Sequence, residues 1–347
     1  MTGDPKRQVV LGVNYNDPRP VKLFSFDQFT FPACDACNNS YSALEGRAGK
    51  VVNKMLGKEA VSEFEIDILL DWLDKVRIGL WLGARYLSNN FADIDPQFHI
   101  SSRVARADRA LLVTHVDAND GLSITGTTSL MFALMPSVFG LRINNMLLLS
   151  ASTDLMISKS LGFPFASHRW VSEGLEVGFE VEPGLERLGP IEFGKNYRLP
   201  ALKIFQPIYR KHLVGGMEQH VSDYVMRHSL DPLHGRGRIY VQSDLGGHWG
   251  GITPADHLCA EMVLQSDLAI EFGVATLEAQ NELVWTIASE RRLPPNKRGR
   301  TRKFHVAHAM NVDGIATQLT GKIVRSYDEI DQINARYEAK FKMSASV

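Results

Sequence analysis

The chain has 347 residues, 44% hydrophobic and 22% charged, a composition that excludes disordered and fibrous classes and describes a globular protein with a core to bury. A net charge of −1 leaves no global basic field to draw it onto nucleic acid or an anionic membrane, so any such attraction has to be local. Three cysteines in so long a chain argue against a disulfide framework and for a reducing compartment, so the expected location is cytoplasmic.

Length sets a prior of about two domains with room for a further module, and the expected division is 1–105, 106–200 and 201–347. The opening MTGDPKRQVV lacks the apolar centre of a signal peptide. No stretch reaches about 18 uninterrupted apolar residues; the nearest, 129–149, contains Pro136, Arg142, Asn144 and Asn145 and reads as buried strands, so no membrane partner is expected.

Residues 1–30 carry short strand-like runs at 9–13 and 21–26 around the proline-rich NDPRP. The stretch 31–90 holds the spacings that suggest chemistry. Cys34 and Cys37 are two residues apart and Asn38 follows at once, which brings two sulfurs toward one point as in half of a zinc site. A helix is expected over 40–56, with Leu44, Val51, Val52 and Met55 as its apolar side. A second helix opens at Ser62 with capping-box spacing to Glu65 and runs to about Leu87. Phe64, Ile68, Leu69, Trp72, Leu73, Val76, Leu80 and Trp81 form its wide apolar surface, while Asp71/Lys75 and Asp74/Arg77 have the spacing of helical ion pairs.

From Ala110 the period shortens: LLVTHV, the turn-rich DANDG and LSITGT read as a hairpin, followed by the apolar MLLLS. More short strands are expected over 174–197, helix near Leu202 and over 217–228, and a strand at 238–242. Thr253-Pro254 reads as an N-cap followed by proline at the first helical position, opening a helical region toward Glu290, and Ser326 opens a last helix. The fold class is therefore α+β, with an N-terminal knuckle and helical module, a β-rich middle and a mainly helical C-terminal part.

FPACDACNN and the basic helix after it resemble the second half of an HNH endonuclease domain of the McrA-like kind, over about residues 29–55. In that family a C-x2-C-N knuckle and its following helix form one side of a zinc-centred treble clef. The resemblance implies that Cys34 and Cys37 are structural zinc ligands, that Asn38 belongs to the motif, and that a second divalent ion such as Mg would serve phosphodiester hydrolysis if the protein is catalytic. The family's other C-x2-C and its general-base histidine lie upstream of this knuckle, whereas the first histidine here is His99. The expected protein is thus HNH-endonuclease-like, acting on or binding nucleic acid, and truncated or degenerate in its catalytic half.

A second local feature is RRLPPNKRGRTRK at 291–303. Arg291, Arg292, Lys297, Arg298, Arg300, Arg302 and Lys303 occur there without an acidic residue, and such clusters neutralise phosphates. Scarce aromatics favour duplex DNA over single strands as the partner. Other spacings carry less. His257 and Cys259 are two apart in a predicted helix, His305 and His308 three apart in a predicted strand, and neither pair shares a face. LGGHWGG lacks the Gly-Lys-Ser/Thr of a phosphate-binding loop, and Glu338/Lys340 sit on a helix of alternating charge. A non-catalytic nucleic-acid-binding protein and a structural or partner-binding protein are the alternative readings.

Overall fold

The computed structural model describes residues 8–11, 22–25, 35–87, 100–117, 122–125, 138–153, 156–171, 177–182, most of 191–242, 249–251 and scattered helical positions between 272 and 283. Over these residues the architecture is mixed helix and largely antiparallel sheet. The main sheet has nine strands: β1 (Gln8–Leu11), β2 (Lys22–Ser25), β3 (Asp108–His115), β4 (Leu122–Thr125), β5 (Val138–Ile143), β6 (Met146–Thr153), β9 (Leu202–Gln206), β12 (Tyr240–Gln242) and β13 (Trp249–Gly251). Its order is β13-β12-β9-β3-β6-β5-β4-β1-β2, antiparallel throughout save for the parallel β1–β4 pair. Two small hairpins stand apart: β7 (Phe165–Val171) with β8 (Val177–Glu182), and β10 (Ser229–Asp231) with β11 (Arg236–Gly237).

Two long helices cover one face, α1 (Asp35–Leu56) and α2 (Glu63–Leu87). Ser62 and Glu65 close the expected capping box: the Glu65 N–H donates to Ser62 Oγ at 3.3 Å and the Ser62 N–H to Glu65 Oε2 at 2.8 Å. Lys54 of α1 reaches the same carboxylate at 2.6 Å, joining the helices. Their buried residues Val51, Val52, Leu69, Trp72 and Leu73 meet Leu111, Val113, Leu141 and Leu148 of the sheet. The opposite face carries Ala110, Leu112, Leu147 and Leu149. They pack with α3 (Met156–Ser160), with Tyr224 and Val225 of α5 (Gln219–Arg227), and with Phe272, Ala275 and Leu283. Gly140 admits this second layer, since a Cβ there would lie 2.6 Å from Thr276 Oγ1 and 2.9 Å from the Phe272 ring.

Several expectations change. Residues 202–206 are strand β9, not helix: Ile204 and Phe205 enter opposite cores, so burial on both faces erases the alternation that marks a strand. LLVTHV and LSITGT do not pair with each other. β3 lies between β6 and β9, and β4 between β5 and β1. Asp71 pairs with sheet arginines rather than Lys75, which turns to Glu45, while Asp74–Arg77 forms as expected at 2.9 Å. Phe64 is 65% exposed. Within the C-terminal part, residues 202–251 hold five strands along with α4 (Lys211–Val214) and α5. No helix among the described residues is long and apolar enough to cross a membrane.

Candidate metal knuckle and nucleic-acid interface

α1 begins at Asp35, immediately after Cys34, so Cys37 and Asn38 lie in its opening turns rather than before the helix. The expected start at residue 40 was late because Asn38, Asn39 and Ser40 are weak helix formers, and Asp35 instead places a carboxylate at the positive end of the helix dipole. Cys34, and the side chains of Cys37 and Asn38, lie outside the described residues. A C-x2-C whose second cysteine sits in a helix's first turn has the donor chemistry of a zinc half-site: the helix N-terminus favours thiolates, and thiolates suit zinc. Two thiolates fit half of a tetrahedral shell. Among the described residues no group of three or more His, Cys, Asp or Glu side chains is arranged to hold a metal.

The packing that orients α1 also defines its outer face. Leu44, Ala48, Val51, Val52 and Met55 are buried, which turns Arg47, Lys50 and Asn53 outward. Among the described residues nothing lies within 4 Å of a Cβ built at Gly46 or Gly49, so the helix surface is open at these two positions. Sequence reasoning passed over Arg47 and Lys50, although their one-turn spacing on the side away from the apolar stripe was available. The loop residues Arg291, Arg292, Lys297, Arg298, Arg300, Arg302 and Lys303 lie outside the described residues, as do His257, Cys259, His305 and His308.

A second concentration of charge lies under α2. Glu63, Asp67, Asp71 and Asp74 recur at helical spacing and meet Arg77, Arg109, Arg236 and Arg238. Arg109 donates to Asp71 at 2.5 Å, to Asp67 at 2.7 Å and to Gln206 at 3.0 Å. Arg236 bridges Asp67 at 2.6 Å and Asp71 at 3.0 Å, while Glu63 accepts from the Ile239 N–H at 2.8 Å and from Arg238 at 3.1 Å. Burial on its own would lower the pKa of Arg109; Asp71, Asp67 and Asp74 more than reverse that and raise it. Four carboxylates thus face four guanidinium groups, and this balanced set fixes α2 on the sheet. Asp108 is a comparable staple at the start of β3, accepting from the Ser158 N–H and hydroxyl at 2.6 Å each and from the Ile208 N–H at 2.7 Å.

The β10–β11 end differs in character. Tyr209 and Ser229 share a hydroxyl hydrogen bond of 2.7 Å, His228 Nδ1 lies 2.8 Å from the Tyr240 hydroxyl, and Tyr224 donates to the Leu161 carbonyl at 2.6 Å. Burial pushes the Tyr209 and Tyr240 hydroxyls above the ordinary tyrosine pKa. Gly235, at φ +70°, lets the hairpin turn press on the strand exit, where a Cβ would meet the Tyr209 carbonyl at 2.2 Å. Phe64, Met226 and Leu233 are exposed around this end: Phe64 follows the Glu63 that holds Arg238, and Met226 is two residues before the His228 carbonyl that accepts from the Arg238 N–H. No protein-family model matches the chain, and no curated protein or solved structure matches it.

Proposed function

We propose that the chain is an HNH-endonuclease-like protein that binds nucleic acid through a zinc-stabilised knuckle at the start of α1. The observation that supports it is the placement of Cys37 in the first turn of α1, with Cys34 one residue ahead of that helix. In this reading Cys34 and Cys37 supply two zinc thiolates, and the remaining ligands come from another segment or a second chain. Arg47 and Lys50 on α1 and the basic residues of 291–303 supply phosphate contacts. The residues named in this reading serve binding, thiolates for zinc and basic side chains for phosphate. A partner-binding protein is the second reading, favoured by the exposure of Phe64, Met226 and Leu233 around one end of the molecule.

Purified protein is expected to carry roughly one zinc per chain and to lose it in the Cys37→Ser variant, since removal of any ligand weakens a four-ligand site severely. Elemental analysis showing no zinc, with the thiols freely alkylated in the folded protein, would remove the knuckle. Duplex DNA binding is expected to fall steeply with salt, each neutralised phosphate adding about 0.9 to the log–log slope. Replacing Lys297, Arg298, Arg300 and Arg302 by Ser lowers that slope by the same increment for every phosphate no longer neutralised, equally on unrelated sequences and without changing zinc content. Absence of DNA and RNA binding even near about 50 mM salt, a range in which phosphate contacts are strong, leaves the partner-binding reading.

A further inference from the structure

β3 ends on His115, which is fully buried, and neither of its ring nitrogens has a hydrogen-bond partner. His228 and His234 are hydrogen-bonded, and His220 is exposed beside Glu218. Alternation along β3 places His115 on the side of Arg109, Leu111 and Val113, the side that α1 and α2 cover. Its cross-strand neighbour is the apolar Met146. The turn between α1 and α2 brings Lys58, which has positive φ (+56°), close enough to act on the ring. Glu59 in the same turn and Asp117 just beyond β3 are exposed, and Arg142 on β5 is paired with Leu147, on the other side of the sheet. Among the described residues the ring's surroundings are therefore apolar or cationic.

We propose that His115 is an acid-sensitive latch, whose protonation releases the turn between α1 and α2 from the end of β3. A neutral ring tolerates this site, but an imidazolium would bring a charge and two donors to a place with no acceptor and a nearby ammonium. Burial first, and then Lys58, hold the ring below the ordinary histidine pKa. The open form consequently binds the proton more tightly than the closed one. The latch holds above the open-state value of about 6.5 and weakens as pH falls below it toward the closed-state value. The response is local, because the Arg109 ion pairs lie six residues back along β3, about 20 Å away at strand rise.

Amide hydrogen exchange on the full chain at about pH 7.5 and about pH 5, each normalised to intrinsic exchange, tests this across the histidine range. Protection over residues 51–61 is expected to fall by up to tenfold per pH unit, the limit for uptake of one proton, while Leu148 and Leu149 of β6 keep theirs. His115→Phe is expected to remove the pH dependence at 51–61. If that variant does not fold, His115→Gln serves, with a side chain that takes up no proton. Unchanged wild-type protection at 51–61, equal loss in the substituted protein, or parallel loss at β6 each overturns the latch. So does an NMR titration of the ring at or above about 6.5.

Discussion

Replacing Arg109 by Met is expected to destabilise the protein by about 3–5 kcal/mol, because it removes one partner of a buried ion network and leaves the others charged. The Arg109 side chain is 2% exposed, and its guanidinium serves Asp67 and Asp71 of α2 and Gln206 of β9 together. Without it, Asp67 and Asp71 keep Arg236, and Asp74 keeps Arg77, so three carboxylates share two guanidinium groups. Arg109→Lys should not rescue, since an ammonium cannot span two carboxylates and an amide as the planar fork does. Adding Asp67→Asn and Asp71→Asn to Arg109→Met should restore part of the loss by removing the stranded charge. Urea unfolding followed by circular dichroism measures both effects. A cost below about 1 kcal/mol for Arg109→Met would mean that water, not protein, solvates these carboxylates.

Local signals in the chain predicted local structure well and failed where partners are distant. The Ser62–Glu65 box is complete within four residues, and the structure closes it as the spacing predicts. Asp71 offered Lys75 one turn away, but its actual partners are 38 and 165 residues along the chain, at Arg109 and Arg236. No helical periodicity reports that. DANDG carried genuine turn chemistry and suggested a hairpin, yet β3 pairs along its whole length with β6, a choice made by burial of both faces rather than by the intervening turn. β9 escaped for the related reason that a five-residue run buried on both sides has no strand signature. At the candidate site the thiol spacing was legible as a motif, whereas the outward face of α1, with Arg47 and Lys50, emerged only once packing fixed which side was inward.

Trp72→Ala is expected to cost about 3–5 kcal/mol, the usual range for emptying a well-packed aromatic site, and Phe64→Ala to change stability by no more than about 0.5 kcal/mol. Both residues belong to the apolar surface read from the α2 sequence, so the contrast tests the structure against that reading. Trp72 is 3% exposed within the core shared with the sheet, whereas Phe64 is 65% exposed. The difference originates at Glu63. Its buried carboxylate takes the inward position in the first turn, where it accepts from the Ile239 N–H and from Arg238, and the next residue is thereby turned to solvent. A thermal melt of Trp72→Ala should show either a sharply lowered transition or loss of soluble protein, because the cost is a large share of ordinary domain stability. Near wild-type melting would place Trp72 at an undocked surface of α2. Loss of stability in Phe64→Ala comparable to that in Trp72→Ala would mean that the first turn of α2 packs inward through Phe64, and that the Glu63–Arg238 contact does not set its orientation.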